Sequence, residues 1–152
     1  MGKSSGVRSS LFLLPEEPSQ SEVRTETRYL FNSEFNRYLS WFFDTKQVDY
    51  VYISINHGIL TPKEEVEPYN IKKLGQKQLF VWSFCTSQLV SRYCEEREID
   101  SIVSLCSGKK YVGLEEMLKE SFTVNTPVRK FSSQDLIMKW LSDFLEGGVF
   151  SE

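Results

Sequence analysis

His57 is the single histidine of the chain, and it lies in Ser54-Ile-Asn-His-Gly-Ile-Leu-Thr-Pro62. Imidazole is the side chain whose ordinary pKa lies nearest neutrality, so His57 is the natural general acid or base. Ser54 and Asn56 beside it offer a hydroxyl and an amide for binding. Gly58 allows a positive φ or the close approach of a ligand. Downstream, Glu67-Pro-Tyr-Asn70 adds a carboxylate, a phenol and an amide on one long proline-bearing loop. The candidate catalytic groups are therefore His57, Glu67 and Tyr69, and Ser54, Asn56, Gly58 and Asn70 are candidate ligand contacts. A second reading of the same residues is structural: His57 satisfies a backbone carbonyl and Tyr69 packs over the sheet edge.

A second group is Cys106-Ser-Gly-Lys-Lys-Tyr111. A glycine turn followed by cations, a phenol and a short helix can hold an anion at the helix start. Gly108, Lys109 and Tyr111 are the candidates there, against the simpler reading of a solvated lysine pair. The segment is neither G-x-x-x-x-G-K-[ST] nor G-x-G-x-x-G. Cys106 stands next to those lysines, where cations can lower a thiol pKa. Cys85, Cys94 and Cys106 include no C-x-x-C, so neither a zinc site nor any other metal or cofactor is expected.

These groups need elements to position them. Ser10-Leu-Phe-Leu-Leu14 is a short apolar run closed by Pro15 and reads as a buried strand. Asp49–Ile55 is β-branched and aromatic throughout, the pattern of a central strand buried on both faces. Ile99–Cys106 reads as a third strand and Phe122–Pro127 as a fourth. Between them, Phe35, Tyr38, Leu39, Phe42 and Phe43 follow helical spacing, with a cap at Asn32 or Ser33. Residues 74–97 form the longest helical pattern, with Leu79, Trp82, Ser83, Thr86, Leu89, Val90 and Tyr93 on one face. A short helix runs from Val112 to Ser121. A last helix carries Leu136, Ile137, Trp140, Leu141 and Phe144, is led by Ser132-Ser133-x-Asp135, and is stopped by Gly147-Gly148. Residues 15–28 and 61–70 read as loops.

Strands alternating with helices predict a single α/β domain over 10–147, with tails at 1–9 and 148–152. Its sheet is expected to be mostly parallel, of about four strands, and covered by helices. In such a sheet the loops after Leu14, Ile55 and Cys106 leave one edge, where ligands gather. The two chemical groups are therefore expected to meet over one concavity.

The chain has 152 residues and a formal charge of −3, with 40% hydrophobic and 26% charged residues. That is ordinary globular composition and excludes wholesale disorder. No apolar window reaches the ~18 residues of a membrane span, and Leu11–Leu14 is too short for a secretory core. A cytoplasmic protein with no membrane partner is expected. The mild acidity argues against bulk phosphate-backbone binding.

Taken in order, the motifs resemble the DUF6884-type family of small bacterial and phage domains, which is distantly similar to YaaA-like peroxide-stress proteins. The shared stretches are Ser54-Ile-Asn-His-Gly-Ile-Leu60, Pro62, Pro68-Tyr-Asn70, Leu30-Phe-Asn-Ser-Glu-Phe35, Gly108-Lys-Lys-Tyr111 and Pro127 to Trp140-Leu141. They span roughly residues 10 to 145. The chain departs from the family pattern at Leu13-Leu14-Pro15, where the family carries Cys and Lys, and at Asn56 and Asn70, where it carries Lys and Asp. The resemblance implies an α/β fold of the kind used on nucleobases and nucleic acids, in a degenerate member. The expected function is binding or processing of a nucleotide, nucleobase or nucleic-acid base, with Tyr69 and Tyr111 meeting a ring and Lys109 or Lys110 a phosphate. The alternative is a non-catalytic, phage- or mobile-element-type protein that acts by binding a host protein.

Overall fold

The computed structural model describes residues 10–146. Among the described residues, seven strands and six helices run in the order β1 (Ser10–Pro15), β2 (Thr25–Glu26), α1 (Thr27–Leu30), α2 (Glu34–Lys46), β3 (Asp49–Ser54), β4 (Gly58–Leu60), β5 (Glu65–Val66), α3 (Gln76–Glu96), β6 (Ser101–Ser104), α4 (Val112–Leu118), β7 (Thr123–Asn125), α5 (Pro127–Lys130) and α6 (Gln134–Leu145). A 3-10 turn at Lys109–Tyr111 leads into α4.

Five strands form one sheet in the order β4-β3-β1-β6-β7. β1 pairs in parallel with β3 and β6, β6 pairs in parallel with β7, and only β4 is antiparallel. The expected α/β domain is thus present, with five sheet strands where about four were expected. The central position belongs to β1 and not to β3. The run Leu11–Leu14 is completely buried because it has a strand on each side and a helical layer on each face. β3 is still an inner strand, with Val51 and Ile53 fully buried.

Alternation along each strand builds two cores. Phe12, Leu14, Tyr50 and Tyr52 meet Leu39, Phe42 and Phe43 of α2 and Leu141 and Phe144 of α6. Leu11, Leu13, Val51, Ile53 and Ile102 meet Trp82, Val90 and Cys94 of α3 and Leu114 and Leu118 of α4. The helix starts follow side-chain capping. Ser33 Oγ accepts from Asn36 N–H and Ser133 Oγ accepts from Leu136 N–H. The glycines assigned to stop the last helix lie outside the described residues.

Several expectations need correction. Tyr38 and Leu89, assigned to buried helix faces, are 45% and 41% exposed. The strand read over Asp49–Ile55 is followed by a hairpin turn and not by a plain loop, because β4 returns along β3 with Gly58 opposite Ser54. Gly58 has φ +80°, and a Cβ there would lie 2.8 Å from Leu89 Cδ1. The two stretches read as loops also carry β2 and β5, which pair with one another as a two-stranded ribbon. Each is two residues long and polar, too short to show an alternation.

Candidate functional site

β1 leads the chain to β3 on one side, and the chain then crosses back through α3 to β6 on the other side. The strand order therefore reverses at β1, between its carboxyl end and that of β6, which is where open α/β sheets bind ligands. The residue that emerges from β1 at this point is Glu16. Its side chain is fully buried.

Glu16 ties together the ends of three segments. Its amide N–H donates to the Ile53 carbonyl at 3.2 Å. Ile55 N–H donates to Oε2 at 2.7 Å, Tyr69 O–H donates to Oε1 at 2.5 Å, and Lys110 Nζ reaches Oε2 at 3.4 Å. Tyr69 Oη also lies 3.0 Å from Ser54 Oγ, which accepts from His57 N–H at 3.0 Å. Since Tyr69 gives its proton to Glu16, Ser54 supplies the proton of the next bond, and every proton of the chain has one place. Burial, with the Glu16 carboxylate beside it, holds the Tyr69 phenol well above its usual range. Tyr69 is therefore a hydrogen-bond donor here and not a phenolate base. From below, Trp82 Nε1–H donates to the Ser54 carbonyl at 3.0 Å.

The loop after β6 is held by a second buried carboxylate. Glu115 accepts from Ser104 Oγ at 2.6 Å and from Arg129 Nε at 2.8 Å. The Arg129 guanidinium then donates to the carbonyls of Cys106, Ser107 and Gly108 at 3.2–3.3 Å. Three carbonyls gathered on one planar cation fix the turn that carries Lys110 and Tyr111. Cys106 does not have the lowered pKa expected beside two lysines. It is wholly buried, and desolvation drives the thiol far up.

No protein-family profile matches this chain, and no curated protein or solved structure is significantly similar to it. Above Glu16 and Lys110 opens a cleft of about 530 Å³. Ile55, Ile71, Leu74 and Leu79 give it an apolar floor, and Lys72, Lys73, Lys110 and Asn70 give it a polar rim. Lys72 and Lys73 are exposed, and neither is paired with a carboxylate among the described residues. The wall that carries them is latched by Asn56, whose Nδ2 donates to the Asn70 carbonyl and whose Oδ1 accepts from Lys72 N–H, both at 3.0 Å.

Of the residues singled out in the sequence, Ser54, Tyr69 and the backbone of His57 meet in the Glu16 network, Asn56 is the latch, and Asn70 lines the cleft. The His57 ring is exposed and stands edge-on to Tyr69 at 4.8 Å between centroids, so it is not a core histidine. Tyr111 is buried under the same end of the sheet, 6.4 Å from Trp82, and its hydroxyl lacks a well-formed hydrogen bond among the described residues. Burial, together with Cys106 and Glu16 nearby, raises its pKa strongly. Gly108 accepts from Arg129 and does not line the cleft. Glu67 stands apart: its carboxylate is mostly exposed and faces Arg24 at 3.8 Å. Lys109 is exposed, and its neighbour Lys110 is the lysine that enters the site. Sequence reasoning missed Glu16, Lys72, Lys73, Glu115 and Arg129. The one available signal was a carboxylate directly after an apolar strand ending in proline. Among the described residues, no group of three or more His, Cys, Asp or Glu side chains is placed to hold a metal ion.

Proposed function

We propose that this protein binds a phosphorylated, ring-bearing small molecule of the nucleotide class in the cleft above Glu16. The observation that carries this reading is the pairing of three lysines with an apolar floor at the point where the strand order reverses. Lysines act as point charges for a phosphate, and Ile55, Ile71, Leu74 and Leu79 offer the dry surface that a base or ribose face covers. The motif resemblance to DUF6884-type domains supports the same ligand class.

The hydrogen-bonding of Glu16 and Tyr69 gives them a positioning role. Both are buried or half-buried and hydrogen-bonded to protein groups, so they hold Ile55, the 69–72 wall and Lys110 around the cleft. The exposed His57 ring stands beside Tyr69 and outside the cleft lining, and the exposed Lys72 and Lys73 are the ionisable groups of the rim that a ligand can meet.

Thermal melting with mononucleotides, free nucleobases and inorganic phosphate tests the reading. A mononucleotide at a hundred times its Kd stabilises the fold by about 2.7 kcal/mol, while base or phosphate alone gives less at equal concentration. Lys72→Ala and Lys73→Ala remove exposed side chains and are expected to abolish the shift with no change in the unliganded Tm. No shift with any mononucleotide at millimolar concentration would overturn the proposal.

A further inference from the structure

The outer face of α3 carries an apolar patch that the fold leaves open. Phe80, Val81 and Phe84 are 65%, 58% and 53% exposed, and Cys85 beside them is exposed as well. The patch belongs to a longer pattern. Lys77, Val81, Phe84, Gln88, Ser91 and Glu95 follow one another at spacings of four, three, four, three and four residues. That is the spacing of a coiled-coil seam, and it places all six in one line along the helix. Trp82, Thr86 and Val90 form the buried face of α3 and point the other way, toward the sheet. Leu79, through which α3 lines the lysine cleft, also lies on the far side of the helix from this line.

The charges at the two ends of the line select the occupant. Lys77 and Glu95 are exposed, and neither enters an ion pair among the described residues. Five helical turns, about 27 Å, separate them, so they cannot meet within one chain. Two copies of α3 laid side by side in opposite directions bring each Lys77 against the other copy's Glu95. The twofold axis is then level with Thr86, the two Phe84 rings meet across it, and each Val81 faces a Ser91. A parallel pairing would oppose lysine to lysine and glutamate to glutamate. An anionic bilayer would attract the Lys77 end of the line and be repelled by its Glu95 end.

We propose that the outer face of α3 is a self-association surface, on which two copies of this protein pair antiparallel about a twofold axis, with Lys77 of each against Glu95 of the other. The pairing does not depend on the lysine cleft. A seam of one helix pair is small against the ~1,200–2,000 Å² of a stable interface, so the dimer is a weak one, with a Kd of roughly micromolar order.

Sedimentation equilibrium of the whole chain at low salt, from micromolar to millimolar concentration, tests this. A monomer–dimer equilibrium is expected. Phe84→Glu should weaken it at least tenfold with unchanged melting. Lys77→Glu and Glu95→Lys should each weaken it at least threefold, and the double reversal Lys77→Glu/Glu95→Lys should restore it, which a mere loss of helix stability could not do. Cys85 is the exposed thiol among the described residues, since Cys94 and Cys106 are buried. It stands beside the axis, so a short bis-maleimide should join two native chains, and Phe84→Glu should suppress that cross-link. A monomer throughout the concentration range would overturn the proposal. So would association that Phe84→Glu leaves intact, a double reversal as weak as the singles, or Phe84-dependent binding to phosphatidylglycerol vesicles by a chain that stays monomeric.

Discussion

Replacing Glu16 by alanine tests whether one buried carboxylate holds the ligand edge together. The variant leaves Ile55 N–H and Tyr69 O–H without their acceptor, at about 1–3 kcal/mol for each stranded donor. Lys110 is one-third exposed and regains water, so its 3.4 Å contact adds at most about 1 kcal/mol. A loss of about 3–5 kcal/mol is expected, in the range for removing one partner of a buried, hydrogen-bonded charge. Glu16→Gln keeps one carbonyl oxygen for one donor and sets an NH2 against the other, for a loss of about 2 kcal/mol. Urea unfolding at pH 7, followed by tryptophan fluorescence, measures both as shifts of the midpoint at constant slope. Tyr69→Phe provides the cross-check. Combined with Glu16→Ala it should cost less than the sum of the singles, by about 1–2 kcal/mol, because both remove the same 2.5 Å bond. A loss below about 1 kcal/mol for Glu16→Ala, or strict additivity with Tyr69→Phe, would refute the brace.

Three further outcomes follow from the geometry. Gly58→Ala meets both a φ of +80° and a 2.8 Å contact with Leu89 Cδ1, for about 2–3 kcal/mol. Adding Leu89→Ala should relieve the contact but not the backbone strain, so complete rescue in a melting experiment would show that the φ costs nothing. Trp82→Ala removes a buried indole and its bond to the Ser54 carbonyl, for about 3–5 kcal/mol by urea titration. A loss under about 1 kcal/mol would mean that Trp82 does not pack on the sheet. The last concerns alkali. Burial raises the pKa of Cys94 to about 12, and it raises those of Cys106, Tyr50, Tyr52, Tyr69 and Tyr111 further. These groups stay protonated when folded and ionise when unfolded, near pH 8.5 for thiols and 10 for phenols. Their contribution to stability is therefore complete below pH 8 and is lost as pH rises, by about 1.4 kcal/mol per pH unit for each group ionised only in the unfolded chain. Urea midpoints from pH 7 to 11 check this, and a flat profile would contradict it.

How much of this was legible beforehand depended on the length of each pattern. β1, β3 and β6 each carry an apolar or β-branched run, and α2, α3 and α6 each carry several turns of periodic residues, so their types and the parallel sheet could be read. Which strand is central could not, because β1 and β3 both look buried on two faces and only the crossover through α3 decides between them. Leu89 fits the apolar face of α3 in spacing, yet it sits at the margin over the β3–β4 turn, where Gly58 has no side chain to cover it. The site was half legible. Ser54 and Tyr69 lie close to a strand end or in a proline-bearing loop and stood out by type. Glu16 did not, because a glutamate between two prolines in a polar stretch looks solvated, and its burial arises from partners 39 to 94 positions away in the chain.

The central place of β1 also sets the order in which the chain can fold. Leu11 finds its two neighbours at Asp49 and Ile102, so neither edge of the most apolar strand has a local partner. Closing these loops costs entropy before the pairing returns any stability. The β1–β3 pair, covered on one side by α2, involves the nearer of the two partners. The edge of β1 that β6 will occupy stays open until α3 has crossed the sheet. During synthesis the strand must wait for nearly two-thirds of the chain while exposing a row of unpaired backbone groups beside Leu11–Leu14, which makes this interval the point of greatest exposure to misassembly.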